Sequence, residues 1–503
     1  MSTDSHAAQG RARRWILVLL ALMMLARLAA MGGLPLMDTT EARYGEVGRK
    51  MAELGDWVTP WHDTGVPFWG KPPLSFWLTA ASMRLLGVNE FAARLPHLLC
   101  GLLIAALVWQ FARRRAGERE ALLATSMLLG STLFFVSAGA VMTDAALVFC
   151  TTLAMFAFWF ALHARDGAER RWMGWLFFIA QGLGLLAKGP VAVVLSGLPL
   201  LLWIVIEKRW WQTWRGLPWL RGSLLTLAIA APWYVLAERH TPGFLTYFLV
   251  GEHWHRFVTP GWRGDLYGHA HEFARGTIWG FAWGALLPWS LLLPLAAWCW
   301  RRREPAGPDP EPALRLYLLL WLLLPLAFFT AARNIIWTYA LPSLPAAALL
   351  MARWMARRSA WAEHWVAAGL AVSLAGAAVG FGRLGDAQRQ HERSARGLVA
   401  AYQVRSQGGQ PLMYVGRRPF SAAFYSQNQV IQLGGLSEAA GHLGAPGDCQ
   451  GYLALAQGES RGELAAAGLQ WLFTVGRFGD VNLVCVAATR ANGRAAGHEA
   501  AKR

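Results

Sequence analysis

Residues 121–142 read ALLATSMLLGSTLFFVSAGAVM, without one charged side chain. A run of this length spans the roughly 30 Å hydrocarbon core of a bilayer as a helix. In water it would leave an apolar surface that no single core could cover. Ten further apolar runs accompany it, at about 15–35, 91–111, 145–162, 172–187, 190–206, 222–238, 276–300, 316–332, 335–352 and 361–382. The chain therefore reads as an α-helical polytopic membrane protein with about 11–13 transmembrane helices. Composition agrees: of 503 residues, 55% are hydrophobic and only 15% charged. A soluble chain carries about 25% charged residues.

The formal charge is +17. In a soluble protein that surplus would point to nucleic acid. Here the basic residues fall in short clusters at 11–14, 113–119, 165–171, 208–221, 301–303 and 353–358. All six lie on one side if the N-terminus is cytoplasmic, which is the positive-inside pattern, and nucleic-acid binding is set aside. The apolar run after Arg14 continues to Met31, longer than a signal-peptide core, so it reads as an uncleaved first span. Eleven spans place the C-terminus outside. Two long outer loops, 36–90 and 239–275, are then crowded with Trp, His, Arg, Asp and Glu, and chemistry is expected there.

Two domains are expected. Residues 1–382 form the membrane domain, and 383–503 form a small soluble α/β domain with strands at 411–415, 471–475 and 481–488. Cys449 and Cys485 both fall in this outer domain; their spacing alone leaves a disulfide open. No Walker loop, GxGxxG, paired CxxC or internal repeat is present, so ATP-driven transport by this chain has no support.

The first outer loop is the most informative stretch. Asp38, Thr39 or Thr40 suits a helix start, with Glu41 near its positive end. Helical spacing aligns Glu41, Gly45 and Gly48, leaving open space beside the carboxylate. Arg43, Glu46 and Lys50 share another face. The plain alternative is an interfacial helix with solvated charges. Further on, Lys71 sits among aromatics and prolines. It suits a phosphate as a point-charge partner, or it snorkels. Arg27, inside the first span, either pairs internally or marks a site.

The string TTEARYGEVGRKM, followed by GDWVTP and GKPPLSFW, resembles the first periplasmic loop of the aminoarabinose transferase (ArnT-like) family. That family stands with the protein mannosyltransferases among the GT-C membrane glycosyltransferases. Four later segments resemble its motifs in order: Met142-Thr143-Asp144-Ala145, Ala187-Lys188-Gly189-Pro190, Glu252-His253-Trp254-His255-Arg256-Phe257 and Trp337-Thr338-Tyr339-Ala340-Leu341-Pro342. The resemblance covers roughly residues 35–345, and the tail carries no such motif.

The resemblance implies a bacterial inner-membrane enzyme with a periplasmic C-terminal domain. Such enzymes transfer a sugar from a polyprenyl phosphate, with inversion, to lipid A or another envelope glycan, lipid or protein. By matched position, Arg43, Lys71, Arg256 and Tyr339 would hold the donor phosphate. Glu41, Asp144 and Asp38 would be the site carboxylates, with Tyr44, Glu252, His253 and Lys188 lining the substrate cavity. Asp144 follows Thr143 at a span start, where capping is the plainer reading by position alone; the resemblance reverses that preference. Two positions depart from the family pattern. Thr40 stands where its Asp is usual, and Gly70 stands where an acidic residue often precedes Lys-Pro. Family members can bind a metal through that acidic residue. A divalent metal here would have to draw on Glu252, His253 and His255. No other cofactor is implied.

A flippase or transporter of a lipid-linked sugar is the main alternative, and a structural or sensory membrane protein the third. An enzyme would gather the motif residues into one outer cavity. A transporter would place charges at mid-membrane and break helices in paired halves.

Overall fold

The computed structural model describes residues 3–268, 271–300, 310–359, 361–406, 409–444 and 448–489. The expected basic cluster at 301–303 lies outside them. The chain forms two compact units, Met1–Met31 with Lys50–Val379, and Gly32–Arg49 with Gly380–Arg503.

The first unit is helical. Among the described residues, six helices are long and apolar enough to cross a membrane: Gln9–Gly33, Glu90–Ala116, Asp144–His163, Trp219–His240, Pro312–Ala331 and Ala362–Gly385. Leu74–Leu86 and Val191–Ile206 are shorter apolar helices. Helix Asp144–His163 is apolar on all sides, as an enclosed helix must be, and nearly all of it is buried. It packs against Gly167–Lys188 and Glu90–Ala116. Two of its polar neighbours are satisfied: Tyr317 donates to the Met155 carbonyl (2.7 Å) and Trp203 to that of Ala313 (3.0 Å). Asp166 caps the next helix by accepting from Ala168 and Glu169 amides. The two helices run antiparallel, so the first residue of one, Asp144, meets the last residue of the other, Lys188.

Three expected continuous spans are broken. Residues 121–142 form two helices, Glu118–Gly130 and Thr132–Ser137. At the break, Ser131 Oγ bonds back to Met127 O (2.8 Å), the Thr132 amide turns to Leu287 O (2.9 Å), and Trp289 also donates to Met127 O (2.7 Å). A serine that satisfies helix carbonyls itself interrupts the ladder at little cost. Residues 276–300 divide into Thr277–Ala285 and Trp289–Trp300 around Pro288, which has no amide to donate. Residues 335–352 begin as a 3₁₀ turn, Trp337–Ser343, before helix Leu344–Arg358. Arg27 pairs internally, donating to the carbonyls of Val136 (2.9 Å) and Ala138 (2.7 Å) where helix Thr132–Ser137 ends.

A short hairpin, β1 (Trp61–Asp63) and β2 (Val66–Pro67), lies in the first unit. The second unit is built on five strands: β3 (Leu412–Val415), β4 (Ile431–Leu433), β5 (Gly451–Ala456), β6 (Leu469–Phe478) and β7 (Val481–Ala488). Their order is β4-β3-β5-β7-β6. β3 pairs parallel with β4 and β5; β7 pairs antiparallel with β5 and β6. Alternate residues face opposite sides of a strand, which separates two small cores. One holds Tyr414, Tyr452 and Cys485, the other Met413, Leu453 and Val484. Sequence reading missed β4 and β5, because β4 is only three residues long and the Ala- and Leu-bearing run of β5 reads as helix-permissive. Cys449 and Cys485 are joined by a disulfide, with Cα atoms 5.8 Å apart.

Candidate active site

Five motif segments converge in the first unit. Residues 246–255 form a π-helix, Thr246–His255. Its wider turn brings residues five apart into register. Tyr247 Oη thus donates to Glu252 Oε1 (3.2 Å), and His253 Nδ1 to the Phe248 carbonyl (2.8 Å). Glu252 then meets Arg256 one ordinary turn on, at 3.0 and 3.1 Å. The hairpin delivers Lys71: Tyr267 donates to Pro67 O (2.8 Å), accepts from the Trp69 amide (2.9 Å), and sets its ring tilted against that of Phe68 at 4.6 Å. Lys71 Nζ then reaches Glu252 Oε2 at 3.0 Å.

Helix Gly167–Lys188 is stopped by Gly189, whose φ is +78° and whose amide donates to Leu185 O. A Cβ there would also lie 2.7 Å from the Phe248 ring. Only glycine meets both demands. The stop leaves Lys188 Nζ 2.6 Å from Asp144 Oδ1 and 4.8 Å from the centre of the Tyr339 ring. Tyr339 is carried by the 3₁₀ turn.

These groups wall one cavity of about 310 Å³. Lys71, Asp144, Lys188, Glu252, His253, Arg256 and Tyr339 supply its polar side. Leu147, Val191, Leu195, Phe248, Phe257 and Phe329 are among its more numerous apolar walls. Burial works to raise the Glu252 carboxyl, but the Lys71 and Arg256 charges outweigh it and hold it at about 2. Arg256 is pushed up in turn: burial opposes this, and the Glu252 charge wins. Burial lowers His253 and pushes the Tyr267 phenol up to about 12.

Asp38, Glu41, Arg43 and Tyr44 belong to the second unit. Glu41 stands in the first turn of helix Thr40–Leu54. Asp38 accepts from both the amide (3.1 Å) and the hydroxyl of Ser421. Its carboxyl is nonetheless raised, because burial outweighs those bonds. The Arg43 guanidinium lies 5.1 Å over the Tyr44 ring and 5.9 Å over that of Phe420. The expected open space beside Gly45 is absent: a Cβ there would lie 2.8 Å from Leu36 and 3.7 Å from Phe424. Nor are all the charges on this helix solvated, although Glu53 is exposed. Glu46 and Arg49 are buried and paired at 2.7 Å.

No three His, Cys, Asp or Glu side chains among the described residues converge as a metal site. Glu252 is committed to Lys71 and Arg256, His255 is exposed, and Gly70 offers no donor. The residues present do not fit the family's metal.

Sequence reading missed Asp265, which holds Arg256 at 3.1 Å. It also missed Asn334, which donates to Arg256 O and Thr259 O. Neither lies in a motif. A carboxylate and an amide on loops flanking a cationic motif were the only available signal.

Comparison with known proteins agrees with this architecture. Residues 16–248 match the family described as dolichyl-phosphate-mannose-protein mannosyltransferase. The crystal structure of ArnT from Cupriavidus metallidurans bound to undecaprenyl phosphate superposes with a TM-score of 0.75 over 94% of this chain and 98% of that one, at 21% identity. The fold is therefore that of a GT-C membrane glycosyltransferase. Within that class the chain resembles the ArnT-like family. The undecaprenyl phosphate-alpha-4-amino-4-deoxy-L-arabinose arabinosyl transferase of Edwardsiella ictaluri is 30% identical over 344 residues, 67% of this chain and 59% of that protein. The enzyme of the same name from Pseudomonas aeruginosa (strain UCBPP-PA14) is 32% identical over 366 residues, 69% of this chain and 60% of that one. The chain thus spans about three fifths of the length of the curated relatives it matches.

Proposed function

We propose that this protein transfers a sugar, with inversion, from a polyprenyl phosphate to an acceptor on the periplasmic face of a bacterial inner membrane. The relatives' names suggest aminoarabinose on undecaprenyl phosphate as the donor and, through the family, lipid A phosphate as the acceptor. The observation that carries the reading is the convergence of Lys71 and Arg256 on one side of a mostly apolar cavity. A lipid phosphate needs cations for its head and apolar walls for its first isoprene units.

In this reaction the bond between the anomeric carbon and the phosphate oxygen breaks, and its electron pair leaves with the phosphate. The acceptor oxygen bonds that carbon from the opposite face. Lys71 and Arg256 meet the charge that grows on the leaving oxygens, with the Tyr339 hydroxyl beside them. Arg43 is assigned to the same phosphate by its motif. An acceptor phosphate is already ionised and needs only positioning. An acceptor hydroxyl would give its proton to Glu41 or Asp144. Asp38 is left out of this role, because both of its oxygens accept from Ser421. We assign it instead to holding the motif segment on the tail domain. No step passes through a metal.

The test is transfer from a panel of polyprenyl-phosphate sugars by the purified protein, beside Lys71→Ala, Asp144→Asn and Glu41→Gln. Turnover of one donor by wild type and loss in the variants supports the reading. Binding of every lipid-linked sugar without transfer or hydrolysis refutes it in favour of a flippase.

A further inference from the structure

Each lysine and arginine lining the cavity is already held by a carboxylate. Lys188 meets Asp144 at 2.6 Å, Lys71 meets Glu252 at 3.0 Å, and Arg256 meets Glu252 at 3.0 Å and Asp265 at 3.1 Å. Among the described residues, this cluster sets three cations against three carboxylates. Glu252 is the shared member. Its side chain is 4% exposed, and it bridges Lys71 and Arg256, two of the cations assigned to the phosphate. The pairing with Lys71 and Arg256 keeps it ionised at any working pH. A phosphate that settles between Lys71 and Arg256 therefore has a fixed negative charge as its nearest neighbour.

We propose that Glu252 acts as a charge filter, so that the cavity retains a singly charged phosphodiester in preference to a doubly charged phosphomonoester. The proposal rests on the transfer reading above. There the donor carries lipid and sugar on one phosphorus and is a diester with one charge. The spent lipid is a monoester, with a charge of about −1.5 to −2 at pH 7. Two bare cations would hold the spent lipid more tightly than the donor, and the enzyme would be trapped by its own product. Glu252 cancels one of the two positive charges at the point of contact. The diester then brings only one charge to this site, and the monoester's second charge is placed against a buried carboxylate, where like charges repel strongly. Asp265 meets the same Arg256 nitrogen as Glu252, at 3.1 Å, and brings a second carboxylate to the set.

The probes are a short prenyl phosphate and its methyl ester, which share a tail and differ by one ionisable oxygen. Binding of each to the full-length protein in lipid nanodiscs is measured by calorimetry at pH 7.5. Wild type is expected to bind the methyl ester at least as tightly as the monoester. Glu252→Gln keeps the shape and removes the charge, and should shift the ratio toward the monoester by about tenfold, the equivalent of one pKa unit. Asp265→Asn leaves the Lys71–Glu252 contact in place and should shift the ratio the same way by less, so it decides the matter if Glu252→Gln does not fold. An unchanged ratio in the variants overturns the proposal. So does an equal loss of both ligands in Glu252→Gln, which would make Glu252 only a strut for the two cations. Failure of wild type to bind either probe is a separate result, and it removes the transfer reading itself.

Discussion

The Asp144–Lys188 pair allows a structural role to be separated from a chemical one. Both side chains are about 10% exposed, and the charged atoms are 2.6 Å apart. Removing one partner leaves the other charge buried, which costs about 3–5 kcal/mol, whereas replacing both by neutral groups of similar volume is close to neutral. Lys188→Met and Asp144→Leu alone should therefore each lower the apparent melting temperature in detergent by several degrees. The double variant should recover most of that loss. A coupling energy of about 3 kcal/mol in the double-mutant cycle is the expected size. Activity should behave differently. If Asp144 touches the acceptor, the double variant is stable and inactive. Recovery of transfer in the double variant would refute a chemical role for Asp144 and leave it a buried counter-ion. Additive stability losses would refute the pairing itself.

Other outcomes follow from the same geometry. The Glu252 carboxyl is held at about 2 against an ordinary 4.5. Its folded value is depressed, so its contribution is present above pH 4.5 and lost as pH falls toward 2, a term of about 3 kcal/mol. Acid titration of Glu252→Gln should lack that loss when unfolding is followed by tryptophan fluorescence. Gly189→Ala places a Cβ at a positive φ and against Phe248, and should cost about 1–3 kcal/mol and displace Lys188. Transfer activity should fall while the protein still inserts, as judged by yield from membranes. Asp38→Ala strips Ser421 of a buried acceptor and should cost the second unit about 1–3 kcal/mol. Faster hydrogen exchange over residues 412–425 is the expected readout.

The membrane class and most helices could be read from apolar runs, because those patterns are local. Order along the chain also pointed to Lys71, Asp144, Lys188, Glu252, His253, Arg256 and Tyr339, which do line one cavity. What could not be read depends on partners distant in sequence. The run 121–142 looks continuous because nothing in its composition reveals that Leu287 and Trp289 will take over its backbone bonds at Ser131. Gly45 looks like open space until Leu36 and Phe424 fill it. Asp265 is an unremarkable loop acid until the fold sets it beside Arg256. Strand β5 has a helix-permissive composition and is a strand because β3 and β7 flank it.

The second unit is assembled from two pieces of chain, residues 32–49 and 380–503. The motif segment leaves the ribosome more than 300 residues before the strands and the Ser421 that complete its surroundings. During that interval Leu36, Gly45 and the buried Glu46–Arg49 pair have no finished core to enter. Biogenesis of this protein must therefore tolerate, or shield, a half-made domain until the last membrane helix is in place. A premature stop between residue 50 and the strands would strand that segment, even with every earlier helix correctly inserted.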